Sequence, residues 1–268
     1  MTKEQYIYQV TKLIHKKDWL DEDFSKECLR RFSDMSTFLD ANGRQMIIDL
    51  LENFDKFFSE SYTKMLKDIF KTIPIDKFCQ KKAFLCGMVK FEDTGKIKSG
   101  PALAYQTHAL QYHPFFQNKS IITEPMSFKL LNKIDSDSLL IIVDDFLGSG
   151  DTFFKMIDYF SQLKNMKESI IAISLVSMEE GYNKVKNEGF NIYTKEIRKK
   201  GISDLMPKCK RDVYLNMMKD IEKKINIRGE FSLGYKQSES LISMIRTPNN
   251  TFPVFWEKND FFKPPFER

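Results

Sequence analysis

The sequence is organised around residues 139–152, which read Leu-Leu-Ile-Ile-Val-Asp-Asp-Phe-Leu-Gly-Ser-Gly-Asp-Thr. The apolar run from Leu139 to Val143 has no alternating polar side chains, which is typical of a parallel strand buried on both faces. The glycines Gly148 and Gly150 then predict a turn, and the apolar spacing after them predicts a helix. We therefore predict a strand–turn–helix unit of an open α/β sheet.

The turn and the two acids before it indicate what this unit binds. Backbone N–H groups at a helix start are unpaired and lie at the positive end of the helix dipole, so residues 148–152 suit a phosphate. Asp144 and Asp145 lie where open α/β sheets bind ligands, and carboxylates accept hydrogen bonds from sugar hydroxyls. We therefore predict a ribose phosphate, with a generic turn and solvated acids as the alternative. Asp151 has to point away from the phosphate, for example by capping the helix.

Composition narrows the class of protein. The 268 residues suffice for one large or two small domains. The formal net charge of +5 suggests an anionic ligand or partner, but it is too small to indicate general nucleic-acid binding. No apolar run is long enough to span a bilayer and the start lacks a secretory signal, so we expect a cytoplasmic protein. The four cysteines and three histidines are too scattered for a structural zinc site.

The remainder of the chain divides into two predicted regions. Residues 1–78 show helical spacing of apolar residues throughout and are predicted to form a helical cap on the sheet domain or on a partner. Residues 79–268 are predicted to form a parallel α/β domain, because strand and helix patterns alternate. The predicted strands are 82–89, 121–123, 169–176, 190–193 and 241–245, and the predicted helices include 44–58, 179–188 and 212–225.

A second candidate contact follows the first predicted strand of the sheet. Lys98, Ser99 and Gly100 precede Pro101, which predicts a helix start at that point. These three residues are candidates for ligand contact because of the family resemblance stated below.

Two further stretches carry polar groups that suit a ligand. The basic stretch 195–211 is either a phosphate or nucleic-acid surface or a solvated loop, of which the loop is the better interpretation. Near the end of the chain, two prolines enclose Asn249 and Asn250 in a turn. Each amide offers a donor and an acceptor, as recognition of a base edge or a sugar requires.

These motifs resemble a known family. The spacing Asp-Asp-x-x-x-Ser-Gly-x-Thr after an apolar strand resembles the phosphoribosyl-diphosphate (PRPP) motif of type I phosphoribosyltransferases, with Ser149 where that family usually has Thr. The helical start, the pair Gly234-Tyr235 and the stretch Thr-Pro-Asn-Asn-Thr-Phe-Pro-Val-Phe-Trp at 247–256 are similar to the PRTase-CE family. These are phosphoribosyltransferase-like proteins of prokaryotic conflict systems. The implied fold is a type I phosphoribosyltransferase-like parallel sheet flanked by helices, with an N-terminal helical cap and a C-terminal hood-like segment.

The resemblance implies transfer of a phosphoribosyl group from PRPP with release of diphosphate, or binding of a ribose 5-phosphate nucleotide, in an anti-phage defence effector. Asp144 and Asp145 are then catalytic and hold the ribose hydroxyls, directly or through the Mg²⁺ that accompanies PRPP. The implied substrate contacts are Gly148, Ser149, Gly150, Asp151 and Thr152 for the 5′-phosphate, and Lys98, Ser99 and Gly100 for the diphosphate. The resemblance does not fix the acceptor, which we expect near Asn249 and Asn250.

Two alternatives stay open. A nucleotide-sensing regulator of the same fold is favoured by the missing catalytic-loop signature, since residues 113–137 could supply that loop but carry no marked catalytic group. The usual Gly-Gly after the first strand is missing as well. The second alternative is an interaction subunit of a nucleic-acid-containing defence complex, docked on a partner protein. A homo-oligomer is compatible with either, and no membrane contact is expected.

Overall fold

The computed structural model describes residues 1–19, 22–90, 92, 98–260 and 262–268. In chain order the described helices and strands are α1 (Lys3–Lys16), α2 (Glu22–Met35), α3 (Ala41–Leu51), β1 (Asp55–Lys56), α4 (Ser59–Thr72), β2 (Lys82–Gly87), α5 (Ser99–His108), β3 (Ser120–Thr123), α6 (Phe128–Leu131), β4 (Ser138–Leu147), α7 (Asp151–Tyr159), β5 (Ile170–Met178), α8 (Glu179–Asn187), β6 (Asn191–Arg198), α9 (Lys208–Lys224) and β7 (Ile242–Ser243).

These residues form two compact units. One unit comprises residues 59–198, and the other combines residues 1–58 with residues 199–268. The boundary at residue 78 that the sequence predicts falls inside the first of these units. The compact units and the predicted domains therefore group the chain differently, and the predicted domains stay a prediction.

Residues 59–198 form a five-stranded parallel sheet flanked by helices, in the strand order β3-β2-β4-β5-β6. From β2 the chain first winds to β3 on one side, and then returns to β4, β5 and β6 on the other. The point where the winding reverses lies between β2 and β4, and such a switch point opens a crevice at the carboxyl ends of the strands. In the register of these two strands, Gly87 pairs with Val143, directly before the two acids.

The central strand β4 confirms the predicted strand–turn–helix unit. Leu139 to Val143 are all fully buried, as expected for a strand with apolar neighbours on both faces. On one face, Leu140 and Ile142 belong to the same apolar cluster as Phe153 and other residues of α7. The strand continues beyond the predicted run to Leu147, so both acids lie within it.

The second unit is held together by aromatic packing. Phe54 and Phe266 stack with ring centroids 4.5 Å apart, and Trp19 meets Phe266 edge-on at 5.4 Å. The buried Trp256 donates its indole N–H to the carbonyl oxygen of Thr251 at 2.7 Å. Burying large aromatic rings with their polar groups paired is a main source of stability for such a unit. Among the described residues, no helix has the length and apolar character that crossing a membrane requires.

Three sequence predictions are wrong in this part of the chain. The predicted helix 44–58 ends at Leu51, because the next residues form β1, which pairs in parallel with β7. Residues 1–78 are therefore not helical throughout, and the predicted strand 241–245 is reduced to the two residues of β7. Pairing between segments far apart in sequence overrides the local apolar pattern here.

The basic stretch 195–211 is not one solvated loop. Its first residues belong to β6, where the Lys195 ammonium lies 3.0 Å from the Asp68 carboxylate. Its last residues begin α9, where the Lys210 ammonium lies 2.7 Å from the Asp49 carboxylate. Part of the positive charge is thus used in ion pairs within each unit.

Candidate functional site

The candidate site lies at the carboxyl ends of β2 and β4, where the start of α5 comes close to both strands. A Cβ atom on Gly100 would lie 2.7 Å from the backbone nitrogen and oxygen of Met88, and 3.1 Å from the carbonyl oxygen of Val143. Real Cβ atoms are not found so close to backbone, so this approach requires glycine. The structure places residues 98–100 beside the acids, with Lys98 directly before α5, and their contact with a diphosphate stays a prediction.

Both acids of β4 are held by hydroxyl donors. The Ser99 hydroxyl donates to Asp144 Oδ1 at 2.7 Å, and the backbone N–H of Asp145 donates to the same oxygen at 2.9 Å. The Tyr62 hydroxyl, from α4, donates to Asp145 Oδ2 at 3.1 Å. Asp145 is buried and Asp144 is half-buried, so the latter is the more open to a ligand.

Burial raises the pKa of both carboxyl groups above the usual range. For Asp144 the increase is large, and the negative charge of Asp145 adds to it. The negative charge of Asp145 favours the protonated form of Asp144, whereas a hydrogen bond from Asp144 favours the ionised form of Asp145. A ligand that brings hydroxyl donors or a cation to this place would favour the ionised forms.

The donor set suits magnesium. Mg²⁺ prefers oxygen ligands, keeps several of its waters and needs only one or two protein carboxylates. Two neighbouring carboxylates of raised pKa, one of them half-buried, offer that chemistry. Within the described part of the chain no group of three or more metal-binding side chains occurs, so a protein cage for a metal is not present there.

The turn after β4 leads directly into α7. Gly150 adopts a left-handed conformation with φ of 79°, and without a side chain it cannot cap the helix. The N–H groups of the first turn of α7 are thus not capped by the residue before it, which is the arrangement that anions bind. The backbone N–H of Asp151 lies 3.4 Å from the Ser149 hydroxyl, and Asp151 Oδ1 lies 3.9 Å from Lys184 Nζ of α8. Thr152 follows in the same turn and is half-buried.

The two asparagines lie in the other compact unit, residues 1–58 with 199–268. Asn250 is buried, and its amide nitrogen donates to the Ser238 hydroxyl at 3.2 Å and to the Tyr235 carbonyl at 3.4 Å. The carbonyl oxygen of Asn249 accepts a bond of 2.8 Å from the N–H of Tyr235. In the structure these groups fasten the turn to the preceding segment, and contact with an acceptor stays a prediction for both.

The sequence did not predict two residues of the site, Tyr62 and Gly181. Tyr62 lies on an apolar helical stripe, where a tyrosine gives no signal of chemistry. Gly181 lies inside α8, and an isolated glycine in a helical pattern is a weak signal for close packing. It packs against the turn after β4, as described below.

The amino-acid sequence matches the family model PRTase-CE over residues 18–268. The chain belongs to the PRTase-CE family. The phosphoribosyltransferase-like fold class expected for it, a parallel α/β sheet flanked by helices, is confirmed by this match together with the five-stranded sheet. The comparison with curated proteins returned no match.

Solved phosphoribosyltransferases are among the structures similar to this PRTase-CE chain. Orotate phosphoribosyltransferase from Aeropyrum pernix is 15% identical, with a TM-score of 0.34 over 52% of this chain and 72% of that one. APRTase from Giardia lamblia, complexed with 9-deazaadenine, is 13% identical, with a TM-score of 0.35 over 52% and 78%. Orotate phosphoribosyltransferase from Mycobacterium tuberculosis H37Rv, in complex with PRPP, is 7% identical, with a TM-score of 0.31 over 57% and 77%.

Proposed function

We propose that this protein binds PRPP, or a ribose 5-phosphate nucleotide, in the crevice between β2 and β4 and transfers the phosphoribosyl group with release of diphosphate. The observation that carries the proposal is the position of two adjacent carboxylates of raised pKa beside a glycine turn that opens a helix, at the switch point of the sheet. Acceptors for a diol and donors for a phosphate thus lie next to each other.

Each part of the ligand has its own partners in this proposal. The ribose hydroxyls donate to Asp144 and Asp145, which Ser99 and Tyr62 hold in place. The 5′-phosphate accepts hydrogen bonds from the N–H groups of residues 148–152 and from the hydroxyls of Ser149 and Thr152. The diphosphate lies towards the start of α5, where Lys98 supplies positive charge.

The chemistry follows from these charges. Cleavage of the bond to diphosphate leaves positive charge on the ribose C1, and the two carboxylates favour that charge electrostatically. Asp144 and Asp145 would hold Mg²⁺, directly or through water, and when bound it neutralises negative charge on the leaving diphosphate. For recognition of the acceptor we retain Asn249 and Asn250, as the sequence predicts.

Calorimetry with PRPP and Mg²⁺ tests the binding step. Asp145→Asn removes an acceptor of charge-assisted hydrogen bonds, and we expect a loss of about tenfold or more in affinity. The matched control is Asp158→Asn on α7, where the carboxylate is 68% exposed and pairs with Lys164. Unchanged PRPP affinity in a folded Asp145→Asn variant would refute the assignment of this acid.

Turnover is tested by diphosphate release in the presence of PRPP, Mg²⁺ and a panel of bases and nucleic acids, followed by mass analysis of the products. Release supports the transferase. Binding without release supports a nucleotide sensor. This alternative is favoured because residues 113–137, where the sequence predicts a catalytic loop, contain β3, α6 and the buried side chains of Phe115 and Phe116.

The setting of this activity is part of the proposal. The resemblance to conflict-system proteins supports a cytoplasmic effector of anti-phage defence that acts with a partner protein or nucleic acid, or as a homo-oligomer. A phage plaque assay with the wild-type protein and with Asp145→Asn tests that role. Equal protection by both proteins would show that defence does not depend on this site.

A further inference from the structure

Helix α8 packs directly on the glycine turn of the candidate site. A Cβ atom on Gly181 would lie 2.0 Å from the carbonyl oxygen of Gly148 and 3.1 Å from the nitrogen of Gly150. Both neighbours are backbone atoms, which cannot turn away as a flexible side chain can. Any residue other than glycine at position 181 therefore has to push the helix and the turn apart.

The same helix brings a cation to the start of α7. Lys184, one helical turn after Gly181, has its ammonium 3.9 Å from Asp151 Oδ1 and 4.8 Å from the ring centroid of Phe154. The Phe154 ring in turn lies 3.4 Å from the position that a Cβ on Gly150 would take. The ammonium is thus held beside the turn, while half of the lysine side chain stays exposed.

We propose that α8 is the second wall of the phosphate site: Gly181 seats the turn, and Lys184 donates to the phosphate of the ligand. This inference rests on the proposed function, since it names further residues that recognise phosphate in the same crevice. The contacts of both residues support it, because one shapes the turn and the other carries its charge to the edge of that turn.

The role of Asp151 becomes clear in this arrangement. At 3.9 Å the ammonium and the carboxylate are too far apart for a hydrogen bond. A partly exposed pair of this kind is weak, so Lys184 can turn from Asp151 to a phosphate oxygen at little cost. Asp151 then serves to keep the Lys184 ammonium near the site, which explains why a carboxylate lies beside the proposed phosphate position.

Lysine binds phosphate as a point charge on a flexible stem, so its contribution depends on the charge of the ligand. The inference therefore concerns phosphate monoesters such as ribose 5-phosphate. Neutral ribose, which presents the same hydroxyls to the acids, should not respond to Lys184. Comparing these two ligands separates a phosphate contact from a general effect on the crevice.

The experiment is calorimetric binding of ribose 5-phosphate to the full chain and to four variants. We expect Lys184→Gln to bind about tenfold more weakly, because a charge-assisted hydrogen bond is lost. Lys186→Gln, an equal change on an exposed part of the same helix, should bind as the wild type does. Gly181→Ala should lose at least about tenfold, because the turn is displaced, whereas Gly229→Ala, with open space around its Cβ, should lose nothing.

Chemical protection of the lysines gives a second readout. Ribose 5-phosphate should also protect Lys184, but not Lys186, from an amine-acylating reagent detected by mass spectrometry, and this readout stands even where Gly181→Ala fails to fold. Equal affinity of Lys184→Gln and the wild type, with no protection of Lys184, overturns the inference and leaves the proposed function intact. Absence of ribose 5-phosphate binding by the wild-type protein overturns the inference, and absence of PRPP binding as well overturns the proposed function.

Discussion

The substitution Asp144→Asn should make the free protein more stable while it removes a ligand contact. Asp144 Oδ1 accepts hydrogen bonds from the Ser99 hydroxyl at 2.7 Å and from the N–H of Asp145 at 2.9 Å. An asparagine keeps an oxygen in that position and accepts both. It replaces the second oxygen by an amide group, which carries no charge and can donate to the neighbouring carboxylate.

The size of the effect follows from the raised pKa. The folded state binds a proton at Asp144 more strongly than the unfolded chain does. The stability that comes from this proton is fully present below the unfolded pKa of about 4, and it is lost as pH rises through the folded pKa. Repulsion between two adjacent carboxylates is about 2–3 kcal/mol at an effective dielectric constant of about 20. Since Asp144 is half-buried, we expect about 1–3 kcal/mol of stabilisation at pH 8.

Urea denaturation of both proteins between pH 5 and pH 8 measures this difference in the free energy of unfolding. The advantage of Asp144→Asn should grow with pH, and Asp158→Asn, whose carboxylate is 68% exposed, should show no such trend. A variant that is less stable than the wild type at pH 8, or an advantage that does not depend on pH, would refute the electrostatic reasoning. With PRPP and Mg²⁺ added, the wild type should gain stability and Asp144→Asn should gain little.

Three further substitutions test other contacts. Tyr62→Phe removes the donor to Asp145 and should lower the free energy of unfolding by about 1–2 kcal/mol at pH 8, and by less at pH 5, in the same urea series; equal losses at both values would contradict it. Gly100→Ala places a Cβ 2.7 Å from backbone and should lower the melting temperature and weaken PRPP binding, whereas Gly229→Ala, with nothing within 4 Å, should do neither. Burial raises the pKa of Glu222 to about 7, so the stability of the wild type should fall as pH rises from about 4.5 through 7. Glu222→Gln should remove about 3 kcal/mol of that fall, and an unchanged pH dependence of the free energy of unfolding would count against it.

Local signals account for the part of the site that the sequence predicts. β4, the turn and α7 are continuous in sequence, and the apolar run, the acids and the glycines each act over a few residues. The PRTase-CE family was also recognisable from two short motifs. Where local pattern and long-range pairing disagree, as at residues 55 and 56, the sequence prediction is wrong.

The amino-acid sequence by itself determined that a buried parallel strand carries two acids shortly before a glycine turn and a helix. Only the tertiary structure decided which groups complete the site, since Ser99 reaches Asp144 across 45 residues of sequence and Tyr62 reaches Asp145 across 83. It also decided that α8 packs on the turn through Gly181. The physical reason is that hydrophobic periodicity specifies which face of an element is buried, whereas the order of strands and the packing of helices depend on contacts between distant segments.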